Sequence, residues 1–212
     1  MSTVVGILGV THDRQLQKRL GYSRGLLDSL IREFQPNVLC GEVHPQSWKL
    51  YLNTGNAQGF LGETQDEYPD VVFPLCREAD IKFVPVNWFE EDVFQEGIFD
   101  RFGEECQRRL QHIHDQWTER QLAVAKTGPI PLNSFPYDGV TRQLYEWLES
   151  VNPAVHHVVW TARHYVMVAR VRRAIASHPG ARILCVHGAD HNYWYYQSLR
   201  GEPGIDLVYP LR

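Results

Sequence analysis

The chain alternates short, unbroken apolar runs with longer segments in which apolar residues recur every three or four positions. Val4 to Val10 is the first run and reads as a buried strand. Leu27, Leu30, Ile31 and Phe34 then fall at i, i+3, i+4 and i+7, the spacing of an amphipathic helix that stops before Pro36. Asn37 to Gly41 predicts a second strand. A loop over Asn53 to Gly62 leads to a helix over about Gln65 to Asp80, interrupted near Pro69 and Pro74. Phe83 to Asn87 predicts a third strand, whose Pro85 suits an edge position.

From Glu90 to about Lys126 the period lengthens: Phe99, Phe102, Cys106, Leu110, Ile113 and Trp117 trace one stripe, which predicts a long amphipathic helix. A proline-punctuated loop (Pro129, Pro131, Pro136) separates it from a shorter helix marked by Val140, Leu144, Trp147, Leu148 and Val151, and a long helix follows over Ala154 to Ser177. Strand character returns at Ile183 to His187 and Ile205 to Tyr209, with a helix over Tyr193 to Leu199 between them. Strands that alternate with helices predict an α/β fold with a mostly parallel sheet covered on both faces. The expected organisation is one domain over 1–212, with a helical insertion at about 90–177 before the late strand.

Composition narrows the class. The 212 residues carry a formal net charge of only -4 with no long run of one sign, so nothing predicts a sequence-independent grip on nucleic acid. The apolar start is too short for a membrane span or a signal peptide, which leads to the expectation of a cytoplasmic protein without membrane attachment. The four cysteines form no C-x-x-C pair and are expected to be buried, reduced thiols.

Two four-residue motifs carry most of the chemistry: Gly9-Val10-Thr11-His12 and Gly188-Ala189-Asp190-His191, each fused to the end of an apolar run. In open α/β sheets ligands bind in the crevice beyond the strands' carboxyl ends, so the two histidines are candidates for one pocket. Gly9 and Gly188 are read as the turns that leave room for a ligand. Glu42 ends the second strand, and a carboxylate against a buried strand needs a partner. Two imidazoles and a carboxylate are a recognisable ligand set for a divalent ion such as manganese, cobalt or zinc. His44, two residues on, reads as a surface-loop histidine, with an additional ligand or base as the alternative. Arg163 sits beside apolar residues in a helix where it either snorkels to solvent or pairs with an anion. Trp88 and the run Tyr193 to Tyr196 supply aromatic surface beside two strand ends, part of it expected to be core. No P-loop, no complete dinucleotide fingerprint and no Gly-x-Ser-x-Gly elbow occurs.

Gly9 to His12, Pro36-Asn37-Val38 leading to Glu42, Arg163-His164-Tyr165-Val166-Met167, and Gly188 to His191, in that order, resemble the TraB/TIKI and erythromycin-esterase-like/ChaN-like superfamily. Each motif is short, but together they span nearly the whole chain. His164 stands where the family motif has Asn, and Ala162 where it often has Glu. The resemblance implies a pocket containing His12, Glu42, Arg163 and His191, in a superfamily that includes metal-dependent peptidases, esterases and haem-binding proteins. The leading expectation is a hydrolase of ester or peptide bonds in which His12, Glu42 and His191 bind or activate water with metal assistance. The alternative is a non-catalytic small-molecule or haem-binding protein. A small-molecule or peptide is the expected substrate, and the aromatic helix faces suggest a homodimer.

Overall fold

A computed structural model describes residues 2–59, 64–90 and 93–211. Its sheet has five strands, β1 (Thr3–Val10), β2 (Val38–Gly41), β3 (Lys82–Pro85), β4 (Arg182–Gly188) and β5 (Ile205–Val208), in the order β3-β2-β4-β1-β5. All four pairings are parallel. Parallel neighbours cannot be joined by hairpins, so helical crossovers cover the faces. The proline-containing β3 lies at an edge, where its missing N–H leaves no ladder bond unmade.

Alternation along β1 divides the interior. Leu8 and Val10 point into a cluster with Leu27, Ile31 and Phe34 of α2 (Arg24–Phe34), together with Tyr68, Phe73 and Phe83. Val5 and Ile7 point the other way, against Met167, Val168 and Val171 of a late helix and Tyr195 and Leu199 of the last one. The cysteines follow this division only in part. Cys40, Cys76 and Cys185 are buried, but Cys106 is exposed, contrary to expectation.

The other helices are α1 (Arg14–Leu20), α3 (Pro45–Thr54), α4 (Phe73–Glu78), α5 (Glu104–Val124), α6 (Phe135–Val151), α7 (Pro153–His156), α8 (Arg163–Ser177) and α9 (Asn192–Leu199). The sequence pattern missed α1 and α3, short helices started by capping rather than by an apolar stripe: Asp13 accepts from the amides of Gln15 and Leu16, and His44 caps α3 with Pro45 at its first turn. The long helix expected from Glu90 begins only at Glu104, after turns in which Asp100 accepts from the Gly97 amide. Positions 60–63 of the expected loop and 91–92 of the expected helix lie outside the described residues. The expected helix over 154–177 is helical almost throughout, but it widens into a π-helical stretch over His157–Ala162 just before Arg163. Such bulges re-aim the side chains that follow them.

Helices α5 to α8 lie between β3 and β4 in the chain, as the insertion was expected to, and α5 sits over a cavity rather than a core. Gln121 is the buried residue of α5; of the predicted apolar stripe Cys106 and Ile113 are exposed, while Phe99, Phe102, Leu110 and Trp117 stay half-buried. The side that borders the cavity mixes polar and apolar residues: His114, Thr118, Gln121 and Leu122 line it.

Asn133, in the loop between α5 and α6, ties the insertion to the sheet. Its side-chain amide accepts from the Gly9 N–H (2.7 Å) and donates to the Gly9 carbonyl (2.9 Å), as a neighbouring strand would. Asn133 is fully buried, so Asn133→Ala leaves both Gly9 groups unpaired. We expect this variant to lose about 2–4 kcal/mol of unfolding free energy in urea denaturation. A loss under 1 kcal/mol would show that the clasp is dispensable.

Candidate functional site

The site forms where the three central strands end side by side. In the register Val10 lies beside Gly188 and Gly41 beside Val186. The residues just beyond these ends, His12, Glu42 and His191, therefore emerge on one rim. They border one cavity of about 510 Å³ together with Arg163, Gly188, Asp190, Tyr145 and Trp160.

Glu42 is the centre of the charge arrangement. Its Oε1 lies 2.6 Å from Arg163 Nη2 and 3.3 Å from His191 Nε2. Its Oε2 accepts from the Gly188 N–H at 2.7 Å and lies 3.7 Å from His12 Nε2. Burial by itself raises a carboxyl pKa, but the charges of His191 and Arg163 and the nearby His12 outweigh it and hold Glu42 well below the usual carboxylate range. Arg163 does not snorkel. Its Nε donates to Asn87 Oδ1 (2.9 Å) and its Nη2 to Glu42, so its fork is fixed from two sides.

His12 lies between two carboxylates. Its Nδ1 donates to Glu67 Oε1 at 2.6 Å, and its Nε2 faces Glu42. Burial opposes charge on the ring, but Glu42 and Glu67 prevail and push its pKa up from 6.5 to about 10. His12 is thus an imidazolium at neutral pH. At 3.7 Å its Nε2–H is too far from Glu42 for a hydrogen bond, which leaves that donor free to face a ligand.

His191 is set by a different chain of contacts. Burial holds the His164 ring neutral, its pKa well below 6.5, and its Nδ1 donates to the Trp160 carbonyl at 2.6 Å. The single proton of His164 is thereby on Nδ1, so its Nε2 can only accept. The His191 Nδ1, 2.7 Å away, must donate to it. His191 thus holds a proton on Nδ1 and turns its Nε2 to Glu42 Oε1, 3.3 Å away, at the cavity. His187, behind the site, is also held neutral: burial lowers it to about 3, aided by the charge of His191.

The glycines act by size rather than by backbone conformation. Neither Gly9 nor Gly188 is among the positive-φ residues, and Gly188 has φ -52°. A Cβ on Gly188 would stand 3.1 Å from His12 Nε2 and 3.5 Å from Glu42 Oε2, within the site itself. One on Gly9 would meet Asn192 at 2.5 Å. Gly9 thus permits close packing behind the site, and the expected sharp turn at either glycine is not what the backbone shows.

Other expected positions lie elsewhere. Trp88 packs edge-on against Phe94 and does not border the cavity. Tyr193 lies behind the cavity wall, where its hydroxyl accepts from Trp160 Nε1 at 3.0 Å. His44 is buried rather than on the surface, because it caps α3 and packs against Phe89.

Compared with protein-family models, curated proteins and solved structures, the chain matches none. The geometry carries the reading on its own.

Several members of the site escaped the sequence reading. Glu67 lies in an acidic stretch that looks like solvated surface, yet it is buried against His12. Tyr68, beside it, accepts from the Glu42 N–H (2.7 Å) and donates to the Val186 carbonyl (2.9 Å), bridging the β2 and β4 ends. His164 occupies a quoted motif position, but nothing in its spacing shows that it meets His191.

The superfamily resemblance implies a metal, and the donor set can be tested against it. Among the described residues no three His, Cys, Asp or Glu side chains are arranged to hold an ion. The cause is local: both Glu42 oxygens are already engaged, by the Arg163 guanidinium and by the Gly188 N–H. The cationic partner of Glu42 is an arginine, so this arrangement does not fit a metal at His12, Glu42 and His191.

Proposed function

We propose that the chain is a hydrolase that splits an ester or peptide bond in this cavity, with His191 as base and His12 and Arg163 as the cationic wall. One observation carries the reading: two imidazoles flank one carboxylate, His12 held protonated by two acids and His191 fixed by His164 with a proton on Nδ1 and its Nε2 at the cavity.

In this reaction a water attacks the substrate's carbonyl carbon and gives its proton to His191 Nε2. Glu42 stabilises the imidazolium that forms, 3.3 Å away. The carbonyl oxygen, now negative, meets the free Nε2–H of His12 and the Nη1 of Arg163, which makes no hydrogen bond among the described residues. As the tetrahedral intermediate collapses, the C–O or C–N bond breaks and the leaving alcohol or amine takes the proton from His191. With a pKa near 10, His12 is suited to holding charge rather than shuttling protons.

The test is turnover of p-nitrophenyl esters and dipeptide p-nitroanilides by the purified protein. We expect hydrolysis of at least one class, a fall in kcat of about 10²–10³ in both His12→Gln and His191→Gln, and no change after dialysis against EDTA. Absence of turnover on every substrate, or undiminished rates in both variants, would overturn the reading.

His164 acts through His191 and is a positioning residue. His164→Asn removes the acceptor that fixes the His191 tautomer. It is expected to lower kcat by about 10–100-fold with KM little changed, and to alter the acid limb of the kcat–pH profile. A uniform loss of kcat and KM with an unaltered profile would indicate a packing role only.

A further inference from the structure

The far wall of the cavity carries a second carboxylate, Asp190, that forms no ion pair among the described residues. Asp190 Oδ1 accepts from Tyr137 Oη (2.7 Å) and Gln121 Nε2 (3.1 Å), and its Oδ2 from Tyr145 Oη (3.1 Å). All three partners are neutral. Burial, then the Asp190 charge, keeps both phenols well above 10, so they remain donors and cannot carry charge themselves. The ion pairs at the cavity all involve Glu42 or Glu67, whose two charges are met by Arg163 and His12. Among the described residues none of these pairs involves Asp190.

The walls beside Asp190 suit a cation with an apolar stem. Tyr145 stacks on Trp160 with centroids 3.5 Å apart and planes within 9°, and Trp160 in turn stacks on His191 at 4.9 Å. A stack of rings thus runs from His191 through Trp160 to Tyr145, which donates to Asp190, and Leu16, Leu122, Leu132 and Leu144 add apolar lining. A carboxylate at the end of an apolar wall attracts an ammonium group through charge while the wall covers the group's apolar stem. A neutral hydroxyl gains little there, because Asp190 already receives three neutral hydrogen bonds.

We propose that this cavity selects substrates bearing a primary ammonium or guanidinium group, which Asp190 holds while the scissile carbonyl lies toward His12 and Arg163. The substrate assignment rests on the hydrolase reading, but recognition at Asp190 can be measured without turnover. The probes are benzylammonium and its neutral analogue benzyl alcohol, titrated calorimetrically into the wild-type protein and into Asp190→Asn and His12→Gln.

Benzylammonium is expected to bind the wild-type protein about tenfold or more tightly than benzyl alcohol. That preference should vanish in Asp190→Asn, which keeps an oxygen acceptor for the tyrosines, and should persist in His12→Gln. Equal binding of the two probes by the wild-type protein, tighter binding of the alcohol, or a preference that survives Asp190→Asn would each overturn the proposal. The wild-type comparison decides even where a variant fails to fold. Selective binding without hydrolysis would overturn the proposed reaction and leave the recognition site standing.

Discussion

Glu42→Gln is expected to lower kcat by roughly 10³–10⁴-fold and unfolding free energy by about 3–5 kcal/mol, the largest paired effect of any single substitution in this chain. The amide keeps the shape of the carboxylate but removes the charge that Arg163, His12 and His191 share. Arg163 is then left with an uncompensated guanidinium that is only one-fifth exposed, the situation in which breaking an ion pair costs most. The imidazolium formed at His191 during turnover loses its stabilising partner at the same time. The check is urea denaturation together with steady-state kinetics on whichever ester or amide the wild-type protein turns over. A variant within 1 kcal/mol of wild type in stability would show that Glu42 is not the electrostatic centre of the pocket.

The second large effect is a pH dependence of stability owed to His12. Folding raises its pKa from 6.5 to about 10, so the folded state binds the proton more tightly than the unfolded chain. The resulting stabilisation is whole below pH 6.5, declines as pH rises from there, and is gone above about 10. On the acid side Glu42, held below its ordinary 4.5, gives stability that is lost as pH falls from there through its folded pKa. The cluster is therefore most stabilising between about pH 4.5 and 6.5. Allowing for solvent at the partly exposed edge of the ring, the His12 contribution is on the order of 3 kcal/mol. Denaturation of wild type and His12→Gln across pH 5 to 10 should give a difference that shrinks with rising pH. A difference that stays constant or grows would contradict the assigned charge state.

The sheet was legible because each of its strands is a short apolar run bounded by helical periodicity or turn residues, and Pro85 marked the edge. Strand-end logic also placed His12, Glu42 and His191 on one rim, since that inference needs only parallel strands of known direction. What remained hidden are contacts between segments distant in the chain. Glu67 reaches His12 across 55 positions and looks in sequence like any exposed acid. Arg163 shares its helix with three other arginines, so its chemistry alone gave no reason to separate it from them. The α5 stripe held only in part: a helix that borders a cavity carries polar His114, Thr118 and Gln121 beside half-buried Leu110 and Trp117, while Cys106 and Ile113 are left to solvent. No helix among the described residues is long and apolar enough to cross a membrane, which agrees with the composition.

The central claim is that, around one carboxylate, His12 is held as an imidazolium and His191 is fixed with a proton on Nδ1. Nitrogen-15 NMR of histidine-labelled protein, with His12→Gln and His191→Gln used to assign the rings, reads it directly. At pH 8 the His12 ring should show both nitrogens protonated and titrate only near 10, and neutral His191 should carry its proton on Nδ1. A His12 ring that loses its proton near pH 6.5, or a neutral His191 protonated on Nε2, would contradict the account.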